Sequence, residues 1–140
     1  MRSMLFLPAD SEKKLTKGAS THADGLILDL EDSVALPRKD EGRRLARAYL
    51  DAHPISKRPQ KLLVRINPLD GAMTLDDLSA VVGGQPDYVI LPKYRTREDI
   101  IALDHYLSAL EVREEIEPGF IKVLTIGTET GQALFNLGGL

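Results

Sequence analysis

The chain has 140 residues, 43% hydrophobic and 28% charged, which is a globular rather than a disordered profile. With 18 Lys and Arg against 21 Asp and Glu, the net charge of −3 argues against a nucleic-acid footprint or a polybasic membrane anchor. The absence of Cys excludes disulfides, thiolate catalysis and Cys-ligated zinc, and aromatics at 5% without Trp argue against a base-stacking surface. No apolar run approaches the ~18 residues of a membrane span, and the N-terminus, Met1–Pro8, has too short an apolar stretch for a signal peptide. A cytoplasmic protein is the expectation.

Five short apolar runs recur along the chain: Ser3–Leu7, Gly25–Leu30, Leu62–Ile66, Tyr88–Leu91 and Ile121–Ile126. Each is nearly continuous in Leu, Ile, Val or Phe, the pattern of parallel strands buried on both faces. Helical patterns fill the gaps. The first covers about Ser11–Ala19. In the second, Pro37 occupies a first-turn position and Leu45, Ala46 and Tyr49 form an apolar stripe. Arginines surround that stripe, from Arg38 to Arg47, as a solvated face or a surface for an anionic tail. A third helix starts near Thr74, with Leu75, Leu78, Val81 and Val82. In the fourth, Thr96 caps, Asp99 sits in the first turn, and Ile100, Leu103, Leu107 and Leu110 share one face. Pro118-Gly119 breaks the chain before the last run, and a fifth helix opens after Thr130.

Strict alternation of strands and helices predicts right-handed crossovers and a parallel sheet. Two architectures fit. One is a five-stranded doubly wound, flavodoxin-like sheet. The other is the first five units of a (β/α)₈ TIM barrel, which takes about 250 residues when complete. Either way the chain reads as one domain over residues 1–140.

In parallel α/β folds the site lies at the carboxyl ends of the strands. Here those ends carry unusual groups: Asp10; Asp29, Glu31 and Asp32; Arg65 and Asn67; Lys93; and Glu129. Each has a bland alternative. The acids after the second run could cap a loop. Arg65, inside Leu62-Leu63-Val64-Arg65-Ile66, needs a ligand or an ion-pair partner such as Glu31 or Asp32. Lys93 could be a surface lysine and Glu129 a first-turn helix acid. That all fall at the same end of their strands favours a polar pocket suited to a divalent cation. His22, His53 and His105 lie away from those ends, and no H-E-x-x-H, G-x-S-x-G, G-x-G-x-x-G or P-loop motif is present.

The stretch Arg2–Pro8 resembles the opening of the HpcH/HpaI aldolase and citrate lyase family. So does Gly25-Leu26-Ile27-Leu28-Asp29-Leu30-Glu31-Asp32-Ser33-Val34-Ala35, with Lys39 at the expected spacing. Val64-Arg65-Ile66-Asn67-Pro68-Leu69-Asp70, Leu91-Pro92-Lys93 and Thr128-Glu129-Thr130 continue it in order. Within that family the chain looks similar to the citrate lyase beta-subunit-like acyl-CoA lyases, malyl-CoA lyases included. The resemblance implies a TIM barrel, Mg²⁺ as cofactor, and carbon–carbon lyase or aldolase chemistry on a 3-hydroxyacyl-CoA, giving an acyl-CoA and a 2-oxo acid. It implies that Arg65 binds the oxo-acid carboxylate and that Glu129 ligates Mg²⁺. Phe6 and Lys17 are implied to contact the CoA substrate, and Glu31 and Asp32 to orient Arg65 and the metal's waters. A homo-oligomer, trimer or hexamer, is also implied. The family chain is about twice as long. Its second Mg²⁺ ligand, an Asp in a G-A-E-D-like motif, has no counterpart here, so the chain is expected to supply an N-terminal barrel portion. Ser11 stands where some malyl-CoA lyases have Arg, and Thr128-Glu129-Thr130-Gly131 replaces the usual E-S-P-x-G wording. The alternatives are a non-catalytic binding or regulatory module on a flavodoxin-like sheet, and a family member that kept the scaffold but lost turnover.

Overall fold

The computed structural model describes residues 1–139. Its main elements are β1 (Met4–Pro8), α1 (Glu12–Gly18), β2 (Gly25–Asp29), α2 (Lys39–Ala52) and β3 (Lys61–Arg65). They continue with α3 (Met73–Val81), β4 (Tyr88–Leu91), α4 (Arg97–Arg113), β5 (Lys122–Thr125) and α5 (Gly131–Asn136). The helix starts follow local chemistry. Asp99 accepts from the amides of Arg95 (2.7 Å) and Thr96 (3.2 Å) at the head of α4. Thr130 caps α5 by accepting from Ala133 N (3.0 Å). Two boundaries differ from expectation. Pro37 lies in a separate 3₁₀ turn, Leu36–Arg38, ahead of α2. Thr74 sits inside α3, its buried hydroxyl donating to the carbonyls of Asn67 (3.2 Å) and Pro68 (2.8 Å).

All neighbouring strands are parallel, in the order β1-β2-β3-β4-β5. A flavodoxin-like sheet would place β1 between β2 and β3. The observed order overturns that alternative and is the order of consecutive barrel units. The layers agree. One large core cluster joins Leu26, Leu28, Leu62, Val64, Val89 and Leu91 of the sheet to Leu15, Leu45, Leu50, Leu78, Leu103 and Leu107 of the helices. The other sheet face holds a small cluster, Ile27, Leu63 and Ile90, bordered by Tyr88, Leu124 and Ile126, to which no helix among the described residues contributes. Helices therefore cover one face, as around a barrel, and not both.

Burial on both faces holds for β2 throughout and for most of β3 and β4. It fails for β1, where Met4, Leu5 and Phe6 are exposed, and for β5, which is only partly buried. The reason is position: β1 and β5 are the outer strands and each pairs on one side only. The arginine run is not simply a solvated face. Arg38 reaches Asp10 (3.3 Å), Arg44 grips Glu41 with two bonds, and Arg47 bonds Asp51. Arg43 is mostly buried, bonding Asp77 (2.8 Å) and Asp40 (2.7 Å). Among the described residues no helix is long and apolar enough to cross a membrane.

Carboxylates tie down the amino-terminal ends of the strands. Buried Glu111 of α4 accepts from Gly119 N and Ile121 N, both at 2.7 Å, which fixes the entry into β5. Gly119 has φ +82°, a conformation open to glycine. Asp87 accepts from Leu62 N (2.9 Å), Lys61 Nζ (2.8 Å) and Arg58 Nη1 (2.8 Å), clamping β3 to β4. Burial opposes ionisation of Asp87, but these donors outweigh it and hold the carboxyl below its ordinary range. Such a group stabilises the fold above its unfolded pKa, and the contribution disappears as pH falls through the lower folded pKa. Asp87→Asn should therefore cost about 1–3 kcal/mol in urea unfolding at pH 7. The difference from the parent chain should shrink on acidification below the ordinary carboxylate range; a pH-independent difference would contradict the ionic role.

Candidate active site

The carboxyl ends of the strands converge on one polar array. Register places Asp29, the last residue of β2, directly opposite Arg65, the last of β3. Both lie on the sheet face that no helix covers, because they follow Ile27 and Leu63 by two residues. The guanidinium meets the carboxylate end to end: Nε donates to Oδ1 and Nη2 to Oδ2, each at 2.7 Å. This bidentate geometry is open to Arg and not to Lys. Asp29 also accepts from Glu31 N (2.9 Å) and Ser33 N (3.1 Å), so the same carboxylate shapes the following loop. Burial pushes the Asp29 pKa up, but bonds from Arg65, Ser33 and Glu31 more than offset it and hold it low.

Glu31 is almost fully buried and lies between two cations. Its Oε2 is 3.2 Å from Arg65 Nη1, and its Oε1 is 2.5 Å from Lys93 Nζ. Both contacts are ion pairs, and each carboxylate oxygen has a further lone pair with which to accept. Asp32 does not reach Arg65. It is mostly exposed and accepts from Lys93 Nζ at 3.0 Å. Glu31 and then Asp32 raise the Lys93 pKa to about 12. Glu129, in the turn after β5, is exposed and accepts from the main-chain amide of Lys93 (2.9 Å). Arg65 and Glu129 thus belong to one array, joined through Glu31 and Lys93.

The ring of Phe6 faces the Arg65 guanidinium, with Cζ 4.7 Å from the ring centroid, a cation–π arrangement. About half of Phe6 remains exposed. Lys17, on α1, is exposed and contacts none of the ionic array. It shares with Phe6, Leu5, Pro8 and Lys14 the lining of an open cavity of about 340 Å³ along β1. A second groove, about 280 Å³ between α1 and α2, lies away from the ionic array.

Beneath the loops runs a buried polar scaffold. Lys39 Nζ donates to the carbonyls of Leu30 (2.6 Å) and Glu31 (2.7 Å) and to Asn67 Oδ1 (2.8 Å). Asn67 donates from its amide and its side chain to Asp77, both at 2.7 Å, and Asp77 in turn accepts from Arg43. Desolvation lowers the Lys39 pKa, against the pull of Asp77, Asp29, Glu31 and Asp32.

Sequence reading singled out Glu31, Asp32, Arg65 and Glu129, which this arrangement brings together. It placed Asp29 on the rim without a specific role and left Lys93 undecided. A signal for Asp29 existed: a carboxylate ending one strand and a guanidinium ending the next, each two residues past an apolar position.

The array can hold an anion on the remaining guanidinium hydrogens and a cation beside Glu129. Mg²⁺ takes oxygen ligands and is often bound by only one or two protein carboxylates. Among the described residues no three acidic or imidazole side chains converge on a single point. Glu129 fits as one carboxylate ligand, with Oε2 steadied by Lys93.

The HpcH/HpaI aldolase/citrate lyase family model matches residues 2–138. The chain belongs to that family. It is 37% identical over 123 residues to the citrate lyase subunit beta of Haemophilus influenzae, covering 88% of this chain and 42% of that protein. It is 34% identical over 102 residues to a (3S)-malyl-CoA thioesterase of Cereibacter sphaeroides, covering 73% and 35%. Among solved structures it resembles CitE from Mycobacterium tuberculosis in complex with magnesium and acetate, with TM-score 0.72, 30% identity, and coverage of 96% and 47%. The chain thus spans less than half the length of these relatives.

A double-mutant cycle of Asp29→Ala and Arg65→Ala in urea should give a coupling above about 1.5 kcal/mol at neutral pH. The coupling should fall away in acid as Asp29 protonates. Additive costs would show that the pair is not the hinge of the array.

Proposed function

We propose that this chain forms part of a Mg²⁺-dependent carbon–carbon lyase that cleaves a 3-hydroxyacyl-CoA, of the citryl- or malyl-CoA kind, into an acyl-CoA and a 2-oxo acid. Membership of the family and the names of its relatives support the acyl-CoA lyase class. The observation that carries the residue roles is the Arg65 guanidinium, oriented by Asp29 and linked through Glu31 and Lys93 to Glu129.

In such a cleavage a base takes the proton of the 3-hydroxyl and the C2–C3 bond breaks. Its electron pair passes into the thioester as an enolate, and protonation at C2 completes the acyl-CoA. Asp29 occupies Nε and one Nη2 hydrogen of Arg65. The two Nη1 hydrogens and the second on Nη2 are the fork that receives the oxo-acid carboxylate, with Glu31 as the protein's own neighbour on that side. Glu31 keeps acceptor capacity for a water or hydroxyl at the reacting end, and Asp32 keeps Lys93 beside it. Phe6 backs the guanidinium and, with Lys17, offers an apolar and cationic flank to the CoA moiety. When bound, Mg²⁺ supplies Lewis-acid stabilisation of the developing oxyanion, and Glu129 is the residue here that would hold it. The residues read as the first five β/α units of a barrel that the longer relatives carry through. The working enzyme is read as a homo-oligomer.

Calorimetry with glyoxylate as the oxo-acid and Mg²⁺ as the metal tests the assignment. Arg65→Lys should weaken glyoxylate binding at least about tenfold, because an ammonium loses the planar fork. Glu129→Gln should weaken Mg²⁺ binding and leave folding intact by circular dichroism. Glyoxylate affinity unchanged by Arg65→Lys would remove the residue from the substrate site.

A further inference from the structure

Among the described residues, three non-glycine residues adopt the left-handed conformation: Gln85, Lys93 and Glu115. Gln85 and Glu115 lie just past helical segments, where this geometry is a common way to end a helix. Lys93 does not. It lies two residues beyond the end of β4, with φ +52°, a conformation disfavoured by the clash of Cβ with backbone. Residues held this way gather at functional sites, where the surrounding structure imposes them.

What the conformation achieves here is visible. The main-chain N–H of Lys93 points at Glu129 Oε2 (2.9 Å), across to the turn after β5. The side chain runs the other way, toward the loop after β2, where Nζ meets Glu31 Oε1 (2.5 Å) and Asp32 Oδ1 (3.0 Å). One residue therefore touches the carboxylate assigned to the metal and the carboxylate that flanks Arg65. The φ of residue 93 sets the angle between this amide plane and the side chain, so the left-handed turn is what lets one residue face both carboxylates.

We propose that Lys93 is a positioning residue: its main-chain amide holds the Glu129 carboxylate, and its ammonium shares Glu31, which already lies 3.2 Å from Nη1, so that Glu31 does not pair fully with the substrate fork of Arg65. The proposal rests on the lyase reading for the purpose of these placements, but not for the placements themselves. Without the ammonium, Glu31 has one cation left, Arg65, and would compete with an incoming oxo-acid carboxylate for it. If the turn at residue 93 is displaced, Glu129 loses its donor.

The two arms separate by substitution in this chain. Lys93→Gly removes the ammonium and tolerates the left-handed geometry; Lys93→Val removes the ammonium and resists that geometry; Lys93→Arg keeps a cation. In the ligand-free protein, Glu129→Ala, which removes the acceptor, should shift the amide resonance of residue 93 and speed its hydrogen exchange about tenfold. An unchanged resonance and exchange rate would overturn the amide arm. Under calorimetry, Mg²⁺ affinity should stay near wild type in Lys93→Gly and Lys93→Arg and fall about tenfold in Lys93→Val. Glyoxylate affinity should fall about tenfold in both Lys93→Gly and Lys93→Val and be rescued in Lys93→Arg. Equal losses of both ligands in all three variants would mark Lys93 as merely structural and overturn the proposal. If wild type binds neither ligand while the residue 93 amide responds to Glu129→Ala, the ligand roles assigned here to Arg65 and Glu129 fail and the positioning of Glu129 by Lys93 stands.

Discussion

The arrangement depends on one buried ion pair. Arg65 closes an apolar strand, and its guanidinium would be costly there without a partner. Asp29 supplies that partner from the neighbouring strand with two parallel bonds, so Arg65 is held in one orientation on the rim. The same carboxylate gathers the amides of Glu31 and Ser33, so the loop after β2 takes its shape from the pair. Net stability is the weaker part of what such a pair provides, since desolvation consumes much of the attraction. What it provides here is a fixed direction for the remaining donors of the guanidinium.

A second set of interactions makes that direction durable. Lys39, Asn67 and Asp77 form a buried polar chain under the loops after β2 and β3, with Arg43 at its far end. Each member satisfies backbone groups that neither sheet nor helix can reach, such as the carbonyls of Leu30 and Glu31 and the amide of Asn67. The site's charged tips are thus mounted on loops that are themselves hydrogen-bonded to the helix layer. This is the arrangement that positions reacting groups best: side chains held by a further shell of bonds on rigid elements.

The sheet explains why the array faces where it does. With helices on one face only, the other face is free to carry side chains inward, and Ile27, Leu63 and Ile90 form its small apolar floor. Asp29 and Arg65 stand at the carboxyl end of that same face, above the floor. The outer strands are only half enclosed, which is why Phe6 of β1 can back Arg65 and still line an open cavity. Sheet topology and the chemistry of the rim are therefore one feature, since consecutive strand order and one-sided helices put every strand's carboxyl end on a shared rim.

Much of this was legible in the residues alone. Apolar runs too short for helices, separated by capped periodic segments, gave parallel strands and their order of occurrence, because burial on two faces demands continuous apolar sequence. A guanidinium inside Leu62–Ile66 announced a partner, and the clustering of acids after successive runs announced a rim. The sequence could not say which acid took Arg65. It pointed to Glu31 or Asp32; Glu31 does lie 3.2 Å from Nη1, but the bidentate partner is Asp29, because partnership follows the register between strands and the alternation of faces, and a single residue of offset changes both. Nor could it show that Lys93 is left-handed, or that Lys39 is buried under the site and not in solvent. Those facts belong to the tertiary structure, for a physical reason: local sequence sets which backbone shapes are cheap, but only packing between distant segments can impose an expensive one or pair charges that lie tens of residues apart.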